Sequence, residues 1–396
     1  MAPNGTFSKT GTNFVTQPRP SPISADEDNE IRKATLLRPP AEDALKSPIE
    51  NTLEVTELKQ IEPDIFTNTR PPWHPPKARG IFGGGVIAQS IMAGQLTVKP
   101  DFVIHSCHCY FLLAGSSIIP LVYHVERVRD GRSFATRTVQ ARQRGACIFT
   151  ITVSFVRRNS GGAKSLQHAI PAPQTTGDAP PVPVNDEDGQ ENAEVDDPTL
   201  PFIVRAIRIT GTLDAPEVYR RKCQHWMKAR GTISTPAGSA EHIAALAYMS
   251  DSAFVASVPR IHGVWRFHSP PEAPAPEHFR RALHEDVGTD GKFNGLELSE
   301  LQERPRMGML VSLDHSIYFH NPEAVKADDW MLSDVISPFS GDGRGMVISH
   351  IYSHNGTLLA TCVQEGVVRL NQNGPDPINP DVPKDYNKAA PLKGNL

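Results

Sequence analysis

The feature that most constrains this chain is that it repeats itself. HSCHCYF, starting at His105, returns as HSIYF at His315. RDGRSFATRTVQARQRGACIFTITVSFVR returns as GDGRGMVISHIYSHNGTLLATCVQEGVVR, with Asp130-Gly131-Arg132 answered by Asp342-Gly343-Arg344. Gly145 follows Gly131 by fourteen residues, and Gly356 follows Gly343 by thirteen. A chain that carries one supersecondary unit twice has the same apolar faces to bury twice, and packing the two copies together is the economical solution.

Periodicity says what the unit is. GGGVIAQSIMAGQLTV, Gly83 to Val98, has no charge and few polar residues, the composition of a buried helix. Alternation then predicts antiparallel strands over Phe102–Leu113, Ile119–Val128, Ser133–Gln143 and Ala146–Val156. In the last of these Cys147, Phe149, Ile151, Val153 and Phe155 share one face, with Thr150, Thr152 and Ser154 opposite. In the second half, a helix over Ser239–Tyr248 precedes the strands, and Asn355-Gly356 is a strong hairpin signal.

The ordered halves are 51–158 and 201–370. Residues 1–50 lack periodicity and read as disordered or loosely packed, and 159–200 form a Pro- and acid-rich linker long enough to cross one face of a domain. A polar insertion at about 270–305, with a short helix at Glu277–His284, and a tail at 371–396 complete the chain. These segments explain why only 39% of residues are apolar.

Several function classes fall away. The formal net charge of −4 leaves no global polyanion binder, so any phosphate recognition is local. Arg129, Arg132, Arg137, Arg142 and Arg144 alternate with apolar residues on strands instead of forming one basic face, so no nucleic-acid partner is expected. Five irregularly spaced cysteines point to a reducing compartment rather than a disulfide framework. No apolar run is long enough for a membrane span, the N-terminus does not resemble a signal peptide, and the closing KGNL is not a Ser-Lys-Leu-type address. His105, Cys107 and Cys109 fall on one strand face, but no second Cys pair accompanies them, so no metal is expected. The glycines before Val86 lack the Lys-Ser/Thr of a phosphate loop and read as permitting close approach of helix and strand.

Taken in order, FGGGVIAQSIMA, HSCHCYFLLAG, VERVRDGRSFATRTVQARQ, LAYMSDS, LDHSIYFH and VQEGVVR resemble the type II acyl-CoA thioesterases. The resemblance covers both halves. It implies an α+β double hotdog fold, two repeats of a long helix wrapped by an antiparallel sheet. It also implies hydrolysis of fatty acyl-CoA to acid and CoA without a cofactor. In that family an acid, a hydroxyl and a glutamine hold the hydrolytic water; the matching positions are Asp251, Ser312 and Gln364. Ser312 follows Asp251 by 61 positions, which exceeds the family's connection.

The CoA phosphates make Arg129 and Arg132, beside the D-G turn, and the glycines Gly84 and Gly85 candidate substrate contacts. No nucleophile motif surrounds Ser312, so direct attack by water is the expected route. Homo-oligomerisation is expected, and the compartment is cytoplasmic or peroxisomal. Two alternatives stand beside this reading. One is an acyl-CoA hydratase or dehydratase, which calls for a His/Asp pair and has only His105 or His315 to offer. The other is a non-catalytic acyl-CoA-binding protein.

Overall fold

The computed structural model describes residues 39–75, 78–173, 199–210, 217–264 and 305–373. Most of segment 1–50, linker residues 174–198, the insertion with its helix at Glu277–His284 and most of the C-terminal tail lie outside the described residues.

The chain opens with α1 (Pro48–Leu53), β1 (Val55–Glu57), β2 (Ile65–Asn68) and α2 (Gly83–Gln95), then β3 (Phe102–Phe111), β4 (Val122–Asp130), β5 (Phe134–Gln143) and β6 (Ala146–Arg157). After the linker come β7 (Phe202–Thr210), β8 (Lys222–Ala229), α3 (Ala240–Ser250) and α4 (Ser257–Ile261). The last strands are β9 (Met307–Ser312), β10 (Asp314–Phe319), β11 (Met331–Gly341), β12 (Arg344–Ser353) and β13 (Leu358–Leu370). Among the described residues the strands form one sheet, in the order β1-β2-β4-β5-β6-β3-β10-β13-β12-β11-β8-β7, with β9 added on β13.

The strands and helices predicted within the described residues are present, with ends shifted by a few residues. Pro120 cannot donate to a ladder, and β4 begins after it, at Val122. Ser239 lies outside its helix as the N-cap, its hydroxyl accepting from His242 N–H. Two hairpins turn on residue pairs with positive φ at both positions, Arg144-Gly145 and Asp342-Gly343, the conformation that matches strand twist. Asp130-Gly131 does not adopt it. There β4 bulges between Arg127 and Arg129 instead.

The two halves join where β3 and β10 pair antiparallel, Tyr110 facing Asp314 and Ser106 facing Tyr318. Helices α2 and α3 lie against one face of the sheet, and their apolar residues belong to one core with those of the strands. On the outer face of the second half, Trp226, Trp330, Leu332, Tyr352 and Leu358 form a smaller cluster. Ala172 of the linker packs onto it.

The arginine-dense stretch divides its labour. Arg137 is fully buried, donating to Thr97 Oγ1 (2.8 Å), Thr97 O (3.0 Å), Arg129 O (3.0 Å), Thr136 O (2.9 Å) and Asp130 Oδ1 (2.6 Å). Arg127 clamps Asp64 through two bonds of 2.6 and 2.9 Å. Arg129 and Arg132 face solvent.

The N-terminal boundary is earlier than the sequence suggested. Residues 47–50 are an ordered helix start, not loosely packed chain, because Ser47 and Glu50 form a capping box and Ile49 is fully buried. Glu50 also accepts from Ser234 N–H (3.1 Å) and the Ser234 hydroxyl (2.5 Å), bracing the first half against the second. Burial pushes the Glu50 carboxyl up, but the bonds from Ser234 and Ser47 outweigh it and hold the group below its ordinary 4.5. A depressed carboxylate contributes stability above its unfolded pKa and loses it as pH falls through the folded value. Glu50→Gln should therefore cost about 1–3 kcal/mol at pH 7. In thermal melts, the gap from the parent protein should narrow as pH drops below 4.5.

Candidate active site

Helix α3 ends at Ser250, and Asp251 is its C-cap, still in helical conformation. A carboxylate at a helix C-terminus meets the unfavourable end of the dipole. Here it is offset by the N-terminus of α2, where Gly84 N–H donates to Asp251. On the other side Gln364 Nε2 donates to Asp251 Oδ1 at 2.8 Å. Removal from water nevertheless dominates and pushes the Asp251 carboxyl up to about 6. Tyr248 and Cys109 also feel the Asp251 charge; burial raises both of their pKa values, so both are neutral at pH 7.

The approach of the two helices needs glycine. A Cβ on Gly84 would lie 2.2 Å from Tyr248 O, and one on Gly83 would lie 2.8 Å from Asp251 Oδ2. Gly85 has ordinary room, its nearest neighbour being the Tyr248 ring at 3.4 Å. The close contact of Gly84 is thus with the opposite helix, where a helix–strand contact was expected; only Gly83 also meets a strand, at Phe111.

Gln364 is fully buried on β13, and its Oε1 makes no hydrogen bond among the described residues. Two residues on, Gly366 shares that face, and its cross-strand partner is Ser312 at the end of β9. Ser312 and Gln364 therefore look out from the same side of the sheet as diagonal neighbours, roughly 7–8 Å apart. Gly366 has a second use that sequence reading missed. Its bare Cα admits Val255, which would sit 2.4 Å from an added Cβ, so the turn after Asp251 can lie down on the sheet. A glycine inside an alternating strand is the available signal.

The other candidates sit elsewhere. Arg129 and Arg132 flank the β4–β5 hairpin, which Arg137 ties to Thr97 just past the C-terminus of α2. Asp251 lies at the N-terminus of that 13-residue helix, so the hairpin is roughly 20 Å away at 1.5 Å per residue. The single strand face expected of His105, Cys107 and Cys109 is broken by a bulge between Ile104 and Ser106, which turns His105 to the outer face. His105 Nε2 meets Ser154 Oγ there at 2.8 Å, while Cys107 and Cys109 stay in the core. The His/Asp pair that a hydratase needs is not formed by either block histidine. His315 Nε2 pairs with Ser250 Oγ at 3.0 Å, as His105 does with Ser154.

The result is a desolvated carboxylate between a helix N-terminus and a glutamine, on a broad antiparallel sheet with helices on one face. The acyl-CoA thioesterase N-terminal domain matches residues 70–156, and the C-terminal domain of the same family matches residues 177–368. Acyl-coenzyme A thioesterase 8 of Mus musculus is 30% identical over 333 residues, covering 80% of this chain and 88% of the mouse protein. Acyl-CoA thioesterase 2 of Haemophilus influenzae is 28% identical, over 82% of this chain and 99% of its own.

Among solved structures, the acyl-CoA thioesterase II TesB2 of Mycobacterium marinum superposes with a TM-score of 0.55 at 27% identity, covering 83% of this chain and 99% of its own. A protein of Alicyclobacillus acidocaldarius described as having a hot dog fold matches with a TM-score of 0.51 at 17% identity, covering 81% of this chain and 97% of its own. The fold is a hotdog fold, and the chain belongs to the acyl-CoA thioesterase family. It is a hydrolase of acyl-CoA thioesters.

Helix contact gives a sharp contrast between neighbouring glycines. Gly84→Ala pushes against a backbone oxygen that cannot rotate away, so it should cost about 1–3 kcal/mol and reduce turnover. Gly85→Ala should fold with at least the parent's stability, since alanine favours the helix by about 1 kcal/mol. Melting temperatures and thiol release on both variants check this.

Proposed function

We propose that the protein hydrolyses fatty acyl-CoA by direct attack of a water held by Asp251, Ser312 and Gln364. The observation that carries the proposal is the 2.8 Å bond from Gln364 Nε2 to Asp251 Oδ1, beside a buried and unpartnered Gln364 Oε1. The amide spends its donor on the carboxylate and keeps an acceptor for a water proton. Asp251 takes the second proton as the water oxygen bonds to the thioester carbon. The tetrahedral intermediate then collapses, the C–S bond breaks, and the proton held by Asp251 passes to the departing CoA sulfur. The hydroxyl of Ser312, on the same sheet face, orients the water. Arg129 and Arg132, at the far end of α2, take no part in this step.

The same proposal includes the architecture. We read the halves as two copies of one hotdog unit, because β2-β4-β5-β6-β3 around α2 has the same strand order as β8-β11-β12-β13-β10 around α3. Domain limits of about 47–158 and 199–370 follow. Self-association is part of the reading, supported by the exposed Tyr110 and Tyr318 on the outer face of the β3–β10 pair. A peroxisomal rather than cytoplasmic placement finds support in a Saccharomyces cerevisiae relative named peroxisomal acyl-coenzyme A thioester hydrolase 1, 27% identical over 82% of this chain.

Kinetics on folded variants test the chemistry. Asp251→Asn should lose roughly 10²–10⁴-fold in kcat. Gln364→Ala should lose about 10–100-fold, and Ser312→Ala less than Asp251→Asn, with losses that do not multiply because one water is shared. A trappable acyl-enzyme lost in Ser312→Ala would replace this route with a serine nucleophile.

The pH profile is a second check. A base must be ionised, so kcat/KM should fall as pH drops through about 6. Gln364→Ala, which removes a bond that lowers the Asp251 pKa, should move that inflection upward. Near-parental turnover in Asp251→Asn would remove the proposal's centre.

A further inference from the structure

Of the buried titratable groups beside the site that the reading above leaves without a task, His315 is the one that grips the chain around Asp251. His315, on β10, is fully buried, and its Nδ1 makes no hydrogen bond among the described residues. Its Nε2 lies 3.0 Å from Ser250 Oγ, and Ser250 immediately precedes Asp251. The ring also packs edge-on against Phe254, centroids 5.5 Å apart, and Phe254 follows Asp251 by three residues. His315 therefore holds the chain on both sides of the carboxylate.

The direction of the serine bond can be worked out. A hydroxyl has one proton; Ser250 neighbours Ala247 O at 2.9 Å, which can only accept, and the Cys362 thiol, which burial keeps protonated, so the serine proton goes to Ala247 O. Towards the imidazole Ser250 can then only accept, so the proton sits on His315 Nε2 and Nδ1 is bare. This excludes a Ser250–His315 nucleophile–base pair, because the histidine is the donor in it. Burial agrees, pushing the His315 pKa down to about 3 and keeping the ring neutral.

The segment it holds needs holding. Ala253 is in the left-handed region at φ 57°, a conformation that no alanine adopts for its own sake. Val255 lies on Gly366, and Asp251 reaches Gln364 on the strand two away from β3 across β10. Without an anchor on β10, the turn from 250 to 254 can relax and carry the carboxylate off its partners.

We propose that His315 is a positioning residue for hydrolysis: its neutral imidazole donates to Ser250 and packs on Phe254, fixing the turn that presents Asp251 to Gln364 and Gly84. The proposal rests on the reading of Asp251 as the group that activates water. His315 touches neither water nor thioester in this scheme, so its loss should appear in kcat more than in KM.

Steady-state kinetics on four variants test it, with folding followed by melting and circular dichroism. His315→Leu keeps bulk and removes the donor; it should lower kcat by at least about 10-fold, with KM within about 3-fold of the parent. The acid inflection of kcat/KM should rise above about 6, because the bonds that hold Asp251 down are loosened. His315→Gln places an amide donor near the Nε2 position and should recover most of the rate. Ser250→Ala, which deletes the acceptor, should match His315→Leu, and the double variant should be no worse than either single one.

Parental kcat and inflection in folded His315→Leu overturn the proposal. So does a His315→Gln protein as impaired as His315→Leu, because the ring's own chemistry would then be required. If His315→Leu does not fold, Ser250→Ala decides, and full turnover with an unmoved inflection is the overturning result. Asp251→Asn measured in parallel separates the two layers. Its survival sinks the reading of Asp251 itself, whereas an inactive Asp251→Asn beside a fully active His315→Leu sinks only the positioning role.

Discussion

The contact between the Gly84 backbone and the Tyr248 carbonyl sets the rest of the structure. It brings the N-terminus of α2 to the C-terminus of α3 closer than any side chain would allow. Opposed helix ends attract, positive partial charge against negative. At that junction a carboxylate on the last turn of one helix can accept from the first turn of the other. A residue with any Cβ at position 84 would part the helices and draw Asp251 away from the first turn of α2.

The sheet supplies what the helices lack. Glutamine and serine come from adjacent strands, in register through Gly366, whose missing side chain leaves room for the turn that carries Asp251. Tyr248, Cys109 and His315 around the carboxylate are all neutral near pH 7, and among the described residues no cation shifts its pKa. Hydrogen bonds alone hold it ionised against burial. Such a balance leaves a pKa between those of an ordinary aspartate and a neutral-range base, the range in which proton transfer is both possible and productive.

Much of this was legible in the sequence, and the exceptions share a cause. Alternation and helical periodicity are local, so the strands from Phe102 to Arg157 and both long helices could be read directly. Asp251 and Gln364 were placed by the blocks around them, and they meet in the structure. What failed was whatever depends on register or on a distant partner. One bulge at His105 reverses the face of a histidine that simple counting puts beside two cysteines. Arg137 and Arg129 look alike in a run of arginines, yet one is wholly buried and the other faces solvent. Short β1 and β2 carry too few residues to show a period. The start of α1 was hidden because a six-residue helix is recognised by its capping box, not by amphipathicity.

The β3–β10 pairing joins residues 208 positions apart, as the bond from His108 to Ser316 illustrates. Contacts so distant in sequence form late, since the entropy of closing the intervening chain is lost before they can stabilise anything. During synthesis at about 5–20 residues per second, the first half waits for its partner for roughly 10–40 s. Throughout that interval β3 is an open strand edge and the glycine end of α2 has nothing beneath it. An open edge of this kind is a template for pairing with another chain, which makes shielding β3 until β10 emerges as much a condition of folding as the stability of the finished structure.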